Sequence, residues 1–149
     1  MNIKIREGTI EDLDKGLLNA FIEGYRFHQN GRPDIFANLS DETLKEDLIK
    51  NVQTLSTLVI LDNESIVGYV AYEIKEKHSK KLHVDQLVIA EEYRGLGLGK
   101  KLMNKVKEIG IKNNCDRIEL DCWMFNTNAL AMYEHIGFER QRIMYEMKL

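Results

Sequence analysis

The stretch Glu92-Tyr93-Arg94-Gly95-Leu96-Gly97-Leu98-Gly99-Lys100-Lys101 decides how this chain folds. It follows the apolar run Leu87-Val88-Ile89-Ala90 and opens a helical pattern. Glycines at alternate positions allow a backbone to approach a ligand closely with its N–H groups exposed. Several N–H groups that converge at a helix N-terminus bind anions, most often phosphate. The stretch therefore predicts a strand, a phosphate-binding loop and a helix in succession.

The spacing of these glycines distinguishes three phosphate-binding motifs. A Walker A loop has four residues between its glycines, followed by Lys and then Ser or Thr. Here three residues separate Gly95 from Gly99, and Lys101 occupies the hydroxyl position. The dinucleotide fingerprint G-x-G-x-x-G needs its third glycine one residue later, near the start of a βαβ unit. The pattern that remains is Arg94-x-x-Gly97-x-Gly99, and the alternative without a ligand is a glycine-rich turn.

The charge of the chain is unevenly distributed. Its 149 residues carry a formal net charge of −3, which argues against a general nucleic-acid-binding protein. Residues 93–112 nevertheless hold six basic side chains against one acidic side chain, whereas residues 1–50 hold seven basic and ten acidic side chains. A basic loop region beside an acidic segment suits an anionic cofactor that meets a cationic or amine substrate.

Length and composition predict one globular domain spanning residues 1–149, with 44% hydrophobic and 30% charged residues. No apolar run reaches the length of a membrane span, and the N-terminal sequence lacks a signal-peptide core. Cys115 and Cys122 are too few for a disulfide framework or a four-ligand zinc site. These features predict a cytoplasmic domain that uses neither a membrane nor a metal.

Hydrophobic periodicity predicts a mixed α/β sheet within this domain. Thr9 begins a capping box with Asp12 in place of the usual Glu, which starts a first helix that ends near Tyr25. Residues 26–40 are irregular and could lie over a pocket, and Gly68 indicates a bulge or a close backbone contact. The predicted strands are 3–6, 57–61, 66–74, 82–89 and 117–123, with a closing strand or hairpin at 138–148, and further helices follow Ser40, Gly97 and Asn126.

A second motif lies downstream of the glycine loop, Asn126-x-x-Ala129-x-x-x-Tyr133-x-x-x-Gly137-Phe138. The two motifs, at this separation and with the preceding strand, resemble those of the GNAT superfamily of N-acetyltransferases. The resemblance covers essentially the whole chain and is most specific over residues 82–138. It implies an α/β fold with a mixed, mostly antiparallel sheet flanked by helices, and central strands that splay at the cofactor site. It also implies a homodimer, which is common in the superfamily.

The resemblance further implies which residues bind acetyl-CoA. Backbone N–H groups of the loop would hold the pyrophosphate, and backbone groups of the preceding strand would receive the pantetheine arm as an added pseudo-strand. Asn126 would hydrogen-bond the same arm, and Tyr133 would lie near the thioester sulfur. The cofactor-binding residues implied in this way are Leu87, Val88, Ile89, Arg94, Gly95, Leu96, Gly97, Leu98, Gly99, Lys100, Asn126 and Tyr133.

Acyl transfer by direct attack of an amine has three chemical requirements. The amine must lose a proton, the negative charge on the carbonyl oxygen needs an N–H donor, and the leaving thiolate needs a proton or a hydrogen bond. Tyr133 can supply the last of these through its phenol, and the resemblance assigns the Val88 N–H to the carbonyl oxygen. The alternative for Tyr133 is a helix tyrosine that packs on the sheet.

Two carboxylates are candidates for the base. Alternation along the predicted strand places Asp85 on the same face as Leu87 and Ile89, and His83 shares that face. Polyamine-type acetyltransferases resemble this chain in carrying an acid at the position of Asp85. Protein N-terminal acetyltransferases carry Glu at the position of Asp121. Either carboxylate could act through water, and either could instead be a polar residue on a solvated strand face.

These observations predict an acetyl-CoA-dependent N-acetyltransferase that works through a ternary complex. Its acceptor would be a small amine, a polyamine or an N-terminal amino group, and the motifs do not distinguish among them. Trp123 and Phe125 are candidate walls of the acceptor pocket, and His28 is a candidate substrate contact. A CoA-binding regulatory or sensor module without turnover is the alternative from another class. A nucleotide-phosphate enzyme is the third.

Overall fold

Five strands form one mixed sheet in the computed structural model, which describes residues Met1–Leu149. The strands follow chain order across the sheet, and all neighbours are antiparallel except the last pair. This arrangement confirms the predicted mixed, mostly antiparallel sheet. The strands are β1 (Ile3–Glu7), β2 (Ser56–Asp62), β3 (Ser65–Glu76), β4 (Lys80–Ile89) and β5 (Arg117–Leu120), of which β4 and β5 are parallel.

Four α-helices cover the two faces of this sheet. They are α1 (Leu17–Gly31), α2 (Asp41–Thr54), α3 (Leu98–Lys112) and α4 (Thr127–His135). Along β2, Val59 and Leu61 pack with α1 and α2, whereas Leu58 and Ile60 pack with α3. The strand is therefore buried on both faces, which explains its continuous apolar sequence. None of the helices has the length and hydropathy of a membrane span.

The first helix begins and ends later than the sequence predicts. Thr9 does form the capping box with Asp12, but it caps a short 3₁₀ helix, Ile10–Lys15. Gly16 then adopts a left-handed conformation with φ 118°, and α1 begins only after this break. The helix also continues past Tyr25 to its end at residue 31. The predicted start of the helix was wrong because the left-handed Gly16 interrupts its first turn. The predicted end was wrong as well, since the helix runs to residue 31.

A bulge at Asp85 interrupts the pairing of β4 with β3. Val84 lies opposite Tyr72 and Gln86 lies opposite Ala71, so Asp85 is the extra residue between two adjacent pairs. An extra residue bends a strand and increases its local twist. The bulge therefore changes the course of β4 halfway along its length.

The bulge also overturns the predicted alternation along β4. Leu82 and Val84 pack toward α3 before the bulge, whereas Leu87 and Ile89 do so after it. His83 therefore lies on the face opposite Leu87 and Ile89, and the predicted common face was wrong. The reason is that side chains alternate with a period of two, so one inserted residue exchanges the two faces.

Gly68 lies at a second irregularity in the sheet, as predicted. The register of β2 with β3 shifts between Ile60 and Leu61, opposite this glycine. A Cβ atom on Gly68 would lie 2.7 Å from the carbonyl oxygen of Val88 on the neighbouring strand. This distance leaves no room for a side chain, so the glycine allows β3 and β4 to approach each other here.

The predicted closing strand or hairpin at residues 138–148 is absent. Phe138 donates its N–H to the carbonyl oxygen of Tyr133 (2.9 Å), but residues 139–149 contain no strand and make no backbone–backbone hydrogen bond. A strand forms only where its backbone groups meet a neighbouring strand. The prediction was wrong because it took an alternating sequence as sufficient evidence for a paired strand.

An ion pair between a buried carboxylate and a partly exposed guanidinium fixes the entry to α1. Asp12 is 1% exposed, and both of its oxygens accept from the guanidinium of Arg6 at 2.9 Å. It also accepts from the backbone N–H of Thr9 at 2.9 Å. The hydrogen bonds from Arg6 are the main cause that lowers the pKa of Asp12 below its ordinary value. The pair therefore ties β1 to the 3₁₀ helix in front of α1.

Replacement of Asp12 by Asn should destabilise the fold by about 1–3 kcal/mol at pH 7, since the charge-assisted bonds to a partly exposed Arg6 are lost. The depressed folded pKa implies that this stabilisation is present above the unfolded pKa of about 3.9 and is lost as the pH falls through the folded pKa. Urea unfolding at several pH values measures the difference. The exposed neighbour Asp14, changed to Asn, is the control and should leave stability within about 0.5 kcal/mol of native. A constant difference down to low pH would contradict the assignment.

Candidate active site

A cavity of about 300 Å³ opens where β4 and β5 separate. The parallel pairing of these strands runs from Lys81 and Arg117 to Val84 and Leu120, and it ends where the Asp85 bulge begins. Beyond this point the two strands no longer share hydrogen bonds. The structure thus has the splayed central strands that the sequence resemblance implied.

The second half of β4 presents to this opening backbone groups that pair with no neighbouring strand. Ala90 donates its N–H to the carbonyl oxygen of Val67 on β3 (2.9 Å). In an antiparallel ladder successive residues direct their backbone groups to opposite sides, so Val88 also faces β3, and Leu87 and Ile89 face away from it. The predicted use of the Val88 N–H as the oxyanion donor therefore conflicts with the ladder. The N–H of Leu87 is the group that points toward the gap.

The glycine loop joins β4 to α3 with two left-handed residues. Gly95 and Gly97 both have φ 77°, and no atom lies within 4 Å of a Cβ placed on either one. Gly97 is the N-cap of α3 and supplies no side chain to cap it. The first N–H groups of the helix therefore point into open space, where an anion can accept from them.

Gly99 has a different role from the other two glycines. It is buried within the first turn of α3, and a Cβ at this position would lie 3.0 Å from the sulfur of Met132 on α4. Absence of a side chain thus brings the N-terminus of α3 against α4. This contact places the helix that follows the loop beside the helix that carries Tyr133.

Arg94 holds the loop against the rest of the protein. Its Nε donates to the carbonyl oxygen of Ile89 (2.9 Å), and its guanidinium pairs with Glu23 of α1 (3.0 Å). Glu23 also accepts from the backbone N–H of Glu91 (2.6 Å). Arg94 is thereby fixed at the end of β4 with 44% of its side chain exposed. Its predicted place beside a pyrophosphate stays a prediction.

Asn126, the N-cap of α4, and Tyr133, within α4, both line the cavity. The Oδ1 atom of Asn126 accepts from the N–H of Ala129 (3.3 Å), which caps α4 and leaves the amide nitrogen as a donor. Gly137 turns the chain with φ 108°, and Phe138 then packs edge-on against Tyr133 at 5.6 Å between ring centres. The spacing of this motif is therefore explained by one cap and one turn.

Burial raises the pKa of the phenols around the cavity. Desolvation, with a smaller effect of Cys122, raises the pKa of Tyr133 above its ordinary value. Desolvation and then the charge of Asp85 raise the pKa of Tyr69, whose hydroxyl donates to Gln86 Oε1 at 2.8 Å. Both phenols consequently remain protonated at neutral pH, and Tyr133 can act as a proton donor.

The two predicted carboxylates reach the cavity from different strands. Asp85 projects from the bulge of β4, and Asp121 immediately follows β5. Both are solvent-exposed residues that line the cavity. The structure brings both to one cavity with Tyr133 and does not select one of them as the base.

An aromatic cluster lies at the cavity, which Phe36 and Trp123 line, whereas Phe125, the other predicted wall residue, packs on Trp123 and is not among the lining residues. Trp123 and Phe125 are stacked with 6.1 Å between ring centres, and Phe36 meets Trp123 edge-on at 5.6 Å. The guanidinium of Arg32 lies 5.3 Å from the centre of the Trp123 ring. This wall is therefore built from residues that follow β5 and from residues that follow α1. Sequence reasoning gave no role to Phe36, although it lies in the irregular stretch expected over a pocket.

His28 lies in the same wall and has a defined tautomer. Its Nδ1 is 2.8 Å from the carbonyl oxygen of Gly24, and because a carbonyl only accepts, Nδ1 carries the hydrogen. The Nε2 atom of the neutral ring is then an acceptor. The ring also packs at 5.8 Å from Phe125. This side chain, together with Tyr25, lines the cavity from α1.

Cys122 lines the cavity but lacks the features of a nucleophile. Burial raises the pKa of its thiol, whereas reactive cysteines have a lowered pKa. Its sulfur lies 3.7 Å from the carbonyl oxygen of Trp123. The environment of Cys122 is therefore that of a packing residue.

The site combines a splayed strand pair, a helix N-terminus that can bind an anion, and a buried phenol. This combination defines a site for transfer of a group from an anionic donor. Residues 19–138 match the family model of the acetyltransferase (GNAT) family. The chain belongs to this family. The resemblance stated from the two motifs is confirmed.

Individual relatives of known activity are distant. Thialysine N-epsilon-acetyltransferase of Bos taurus is 27% identical over 74 residues, which are 48% of this chain and 44% of that protein. N-alpha-acetyltransferase 30 of Homo sapiens is 26% identical over 102 residues, which are 68% of this chain and 28% of that protein. The matched part of this chain thus spans less than half the length of either relative.

The fold itself is shared over nearly the whole chain. The crystal structure of a tetramutant of the BH1408 protein from Bacillus halodurans has a TM-score of 0.88 with this chain at 25% sequence identity. The match covers 98% of this chain and 99% of that one. The likeness therefore includes β1 and the segment after α4, which lie outside the family match.

Proposed function

We propose that this chain is an acetyl-CoA-dependent N-acetyltransferase whose acceptor is a primary amine. The observation that carries the proposal is the cavity between β4 and β5, which two carboxylates and a buried phenol line. The strand β4, which lines the same cavity, leads into the glycine loop and α3. The proposed catalytic unit is residues 1–149. Transfer would occur by direct attack of the amine in a ternary complex, because the one cysteine at the cavity lacks the features of a nucleophile.

The residues around the loop fit the cofactor. The open space at Gly95 and Gly97, with the N–H groups at the start of α3, suits a pyrophosphate. The backbone groups of Leu87 and Ile89 that face away from β3 suit the amides of a pantetheine arm, with the Asn126 amide nitrogen on the opposite side. When bound, acetyl-CoA would supply an activated acetyl thioester at the gap.

The remaining groups of the site can move the protons of the reaction. Asp85 or Asp121 would accept the proton of the incoming amine, directly or through water. The N–H of Leu87, rather than that of Val88, would donate to the oxygen on which negative charge develops. Tyr133 would give its phenolic proton, or a hydrogen bond, to the departing sulfur.

The shape and charge of the cavity favour a cationic acceptor. The aromatic wall of Trp123 and Phe36 can receive an alkyl or ammonium group, and Asp85 and Asp121 supply negative charge nearby. The relatives act on thialysine and, by name, on the alpha-amino group of proteins. We therefore propose three acceptor classes for testing: polyamines, lysine-like side-chain amines and N-terminal amino groups.

Replacement of Gly97 by Val should abolish or weaken acetyl-CoA binding by at least about tenfold, because a side chain would fill the space that the pyrophosphate requires. A β-branched residue at φ 77° is also strained, so thermal melting must accompany the calorimetric titration. Leu96→Val is the matched control, since it changes an exposed side chain in the same loop and keeps the backbone open. Native affinity in a folded Gly97→Val protein would show that the cradle is misplaced.

Replacement of Tyr133 by Phe should lower kcat by about 10²–10⁴-fold for the best acceptor and leave acetyl-CoA affinity nearly unchanged, because only the proton donor is removed. Release of free CoA measures turnover with spermidine, lysine, thialysine and a peptide with a free N-terminus. Tyr93→Phe, a hydroxyl remote from the cavity that donates to Asp62, is the control. Native turnover in Tyr133→Phe would remove this residue as the acid. Acetyl-CoA binding by the native protein without turnover of any amine would favour the sensor module instead.

The base should be identified by Asp85→Asn and Asp121→Asn. An amide cannot accept the proton, so the variant of the true base should lose about 10²–10⁴-fold in kcat, and the rise of its rate with pH should flatten. The other variant serves as the matched control, since both residues are exposed at the same cavity. Native profiles in both single variants and in the double variant would exclude a carboxylate base.

A further inference from the structure

Arg32 places a positive charge next to the cavity. Its guanidinium lies 5.3 Å from the centre of the Trp123 ring, and Trp123 lines the cavity, whereas Arg32 itself is not a lining residue. Only 21% of the Arg32 side chain is exposed. A guanidinium that packs on an aromatic ring is both attracted and held in position by it. Arg32 therefore offers a charge of defined position beside the aromatic wall.

Asp34 holds this guanidinium from one side. The Nε and Nη2 atoms of Arg32 donate to the two oxygens of Asp34 at 3.0 and 2.9 Å. Paired, charge-assisted hydrogen bonds of this kind are among the strong ones in proteins. They are also the main cause that lowers the pKa of Asp34 to about 2, so this carboxylate is charged at neutral pH. The orientation of the guanidinium is therefore set before another partner approaches its terminal nitrogens.

Glu146 occupies the terminal nitrogens of Arg32. The Nη1 and Nη2 atoms lie 2.8 and 3.1 Å from the two oxygens of Glu146, so this end of the guanidinium also receives a whole carboxylate. Glu146 belongs to residues 139–149, which make no backbone–backbone hydrogen bond, and its side chain is 61% exposed. Exposed ion pairs contribute little to stability. Another carboxylate can therefore approach from solvent and replace Glu146 at small cost.

Negative charge lies within the cavity itself. Asp85 and Asp121 line it together with Trp123. The Cα atoms of Asp121 and Trp123 are at most about 7 Å apart, because only Cys122 lies between them in the chain. One small molecule can therefore extend from Asp121 along Trp123 to the guanidinium of Arg32. Such a molecule would place a positive group beside the carboxylates and a negative group at the guanidinium.

We propose that the terminal nitrogens of Arg32 bind a carboxylate of the acceptor, and that Glu146 occupies this subsite in the free chain. The subsite rests on the proposed acetyltransferase function. It narrows the acceptor to an amine that also carries a carboxylate, as in a free amino acid whose side chain ends in an amine. Two parallel N–H groups of a guanidinium match the two oxygens of a carboxylate. A polyamine of the same length would instead bring a second positive charge toward Arg32 and be disfavoured.

Lysine and cadaverine are a matched pair of acceptors, since cadaverine is lysine without its carboxylate. Measured by release of free CoA, kcat/KM of the native chain should be at least about tenfold higher for lysine, because only lysine makes the charge-assisted pair. Arg32→Gln and Arg32→Lys should both lower this ratio toward one, since neither side chain presents the parallel N–H groups of a guanidinium.

Two variants of the exposed segment complete the design. Glu146→Gln should raise the ratio of lysine to cadaverine, because the competing carboxylate is removed. Arg140→Gln is the matched control and should keep the native ratio, since Arg140 pairs with Glu134 in the same exposed segment. If both Arg32 variants fail to fold, the native ratio and its change in Glu146→Gln still decide.

Equal turnover of lysine and cadaverine would overturn the carboxylate subsite and leave the acetyltransferase function in place. So would a preference for lysine that persists in both Arg32 variants, because the carboxylate would then be bound elsewhere. An unchanged ratio in Glu146→Gln would overturn the role of Glu146. If no amine is acetylated, the proposed function fails, and calorimetric titration decides the subsite alone. Lysine should then bind the native chain at least about tenfold more tightly than cadaverine. Equal binding, or a difference that survives in Arg32→Gln, would overturn the subsite.

Discussion

The bulge at Asp85 is the constraint on which the site depends. Without it, β4 would continue in register with β3, and Leu87 and Ile89 would lie on the opposite face of the sheet. With it, the pairing to β5 ends at Val84 and Leu120, and the backbone beyond has no strand beside it. The gap is therefore a consequence of strand geometry. The glycine loop and α4 are positioned around a gap that the sheet has already made.

Packing then joins the parts that border this gap. Gly99 brings α3 against Met132 of α4, so the helix that begins at the loop packs directly on the helix that carries Tyr133. Arg94 and Glu23 attach the loop to α1 on the other side. The polar groups differ mainly in their exposure to water: desolvation raises the pKa of the two phenols, whereas Asp85 and Asp121 are exposed. One cavity thus holds a protonated donor and negative charge together.

Local patterns were predictable, and features that depend on a neighbouring strand were not. The capping box at Thr9 and the helix that follows Asn126 each follow from a few adjacent residues, and the structure has both of them. The bulge at Asp85 depends on how β3 and β4 pair, which alternation in one strand cannot reveal. For the same reason, the predicted role of the Val88 N–H conflicts with the structure, since pairing with β3 sets the direction of that group. The predicted closing strand was wrong because it has no partner strand in the chain.

The chain contains a single tryptophan, and that residue is Trp123 in the wall of the cavity. All indole fluorescence of the protein therefore arises beside the gap, between the ring of Phe125 and the guanidinium of Arg32. An occupant of the cavity that displaces either neighbour changes the polarity around one indole. The protein thus carries an intrinsic optical reporter at its own site, and ligand entry can be followed in the unlabelled native chain.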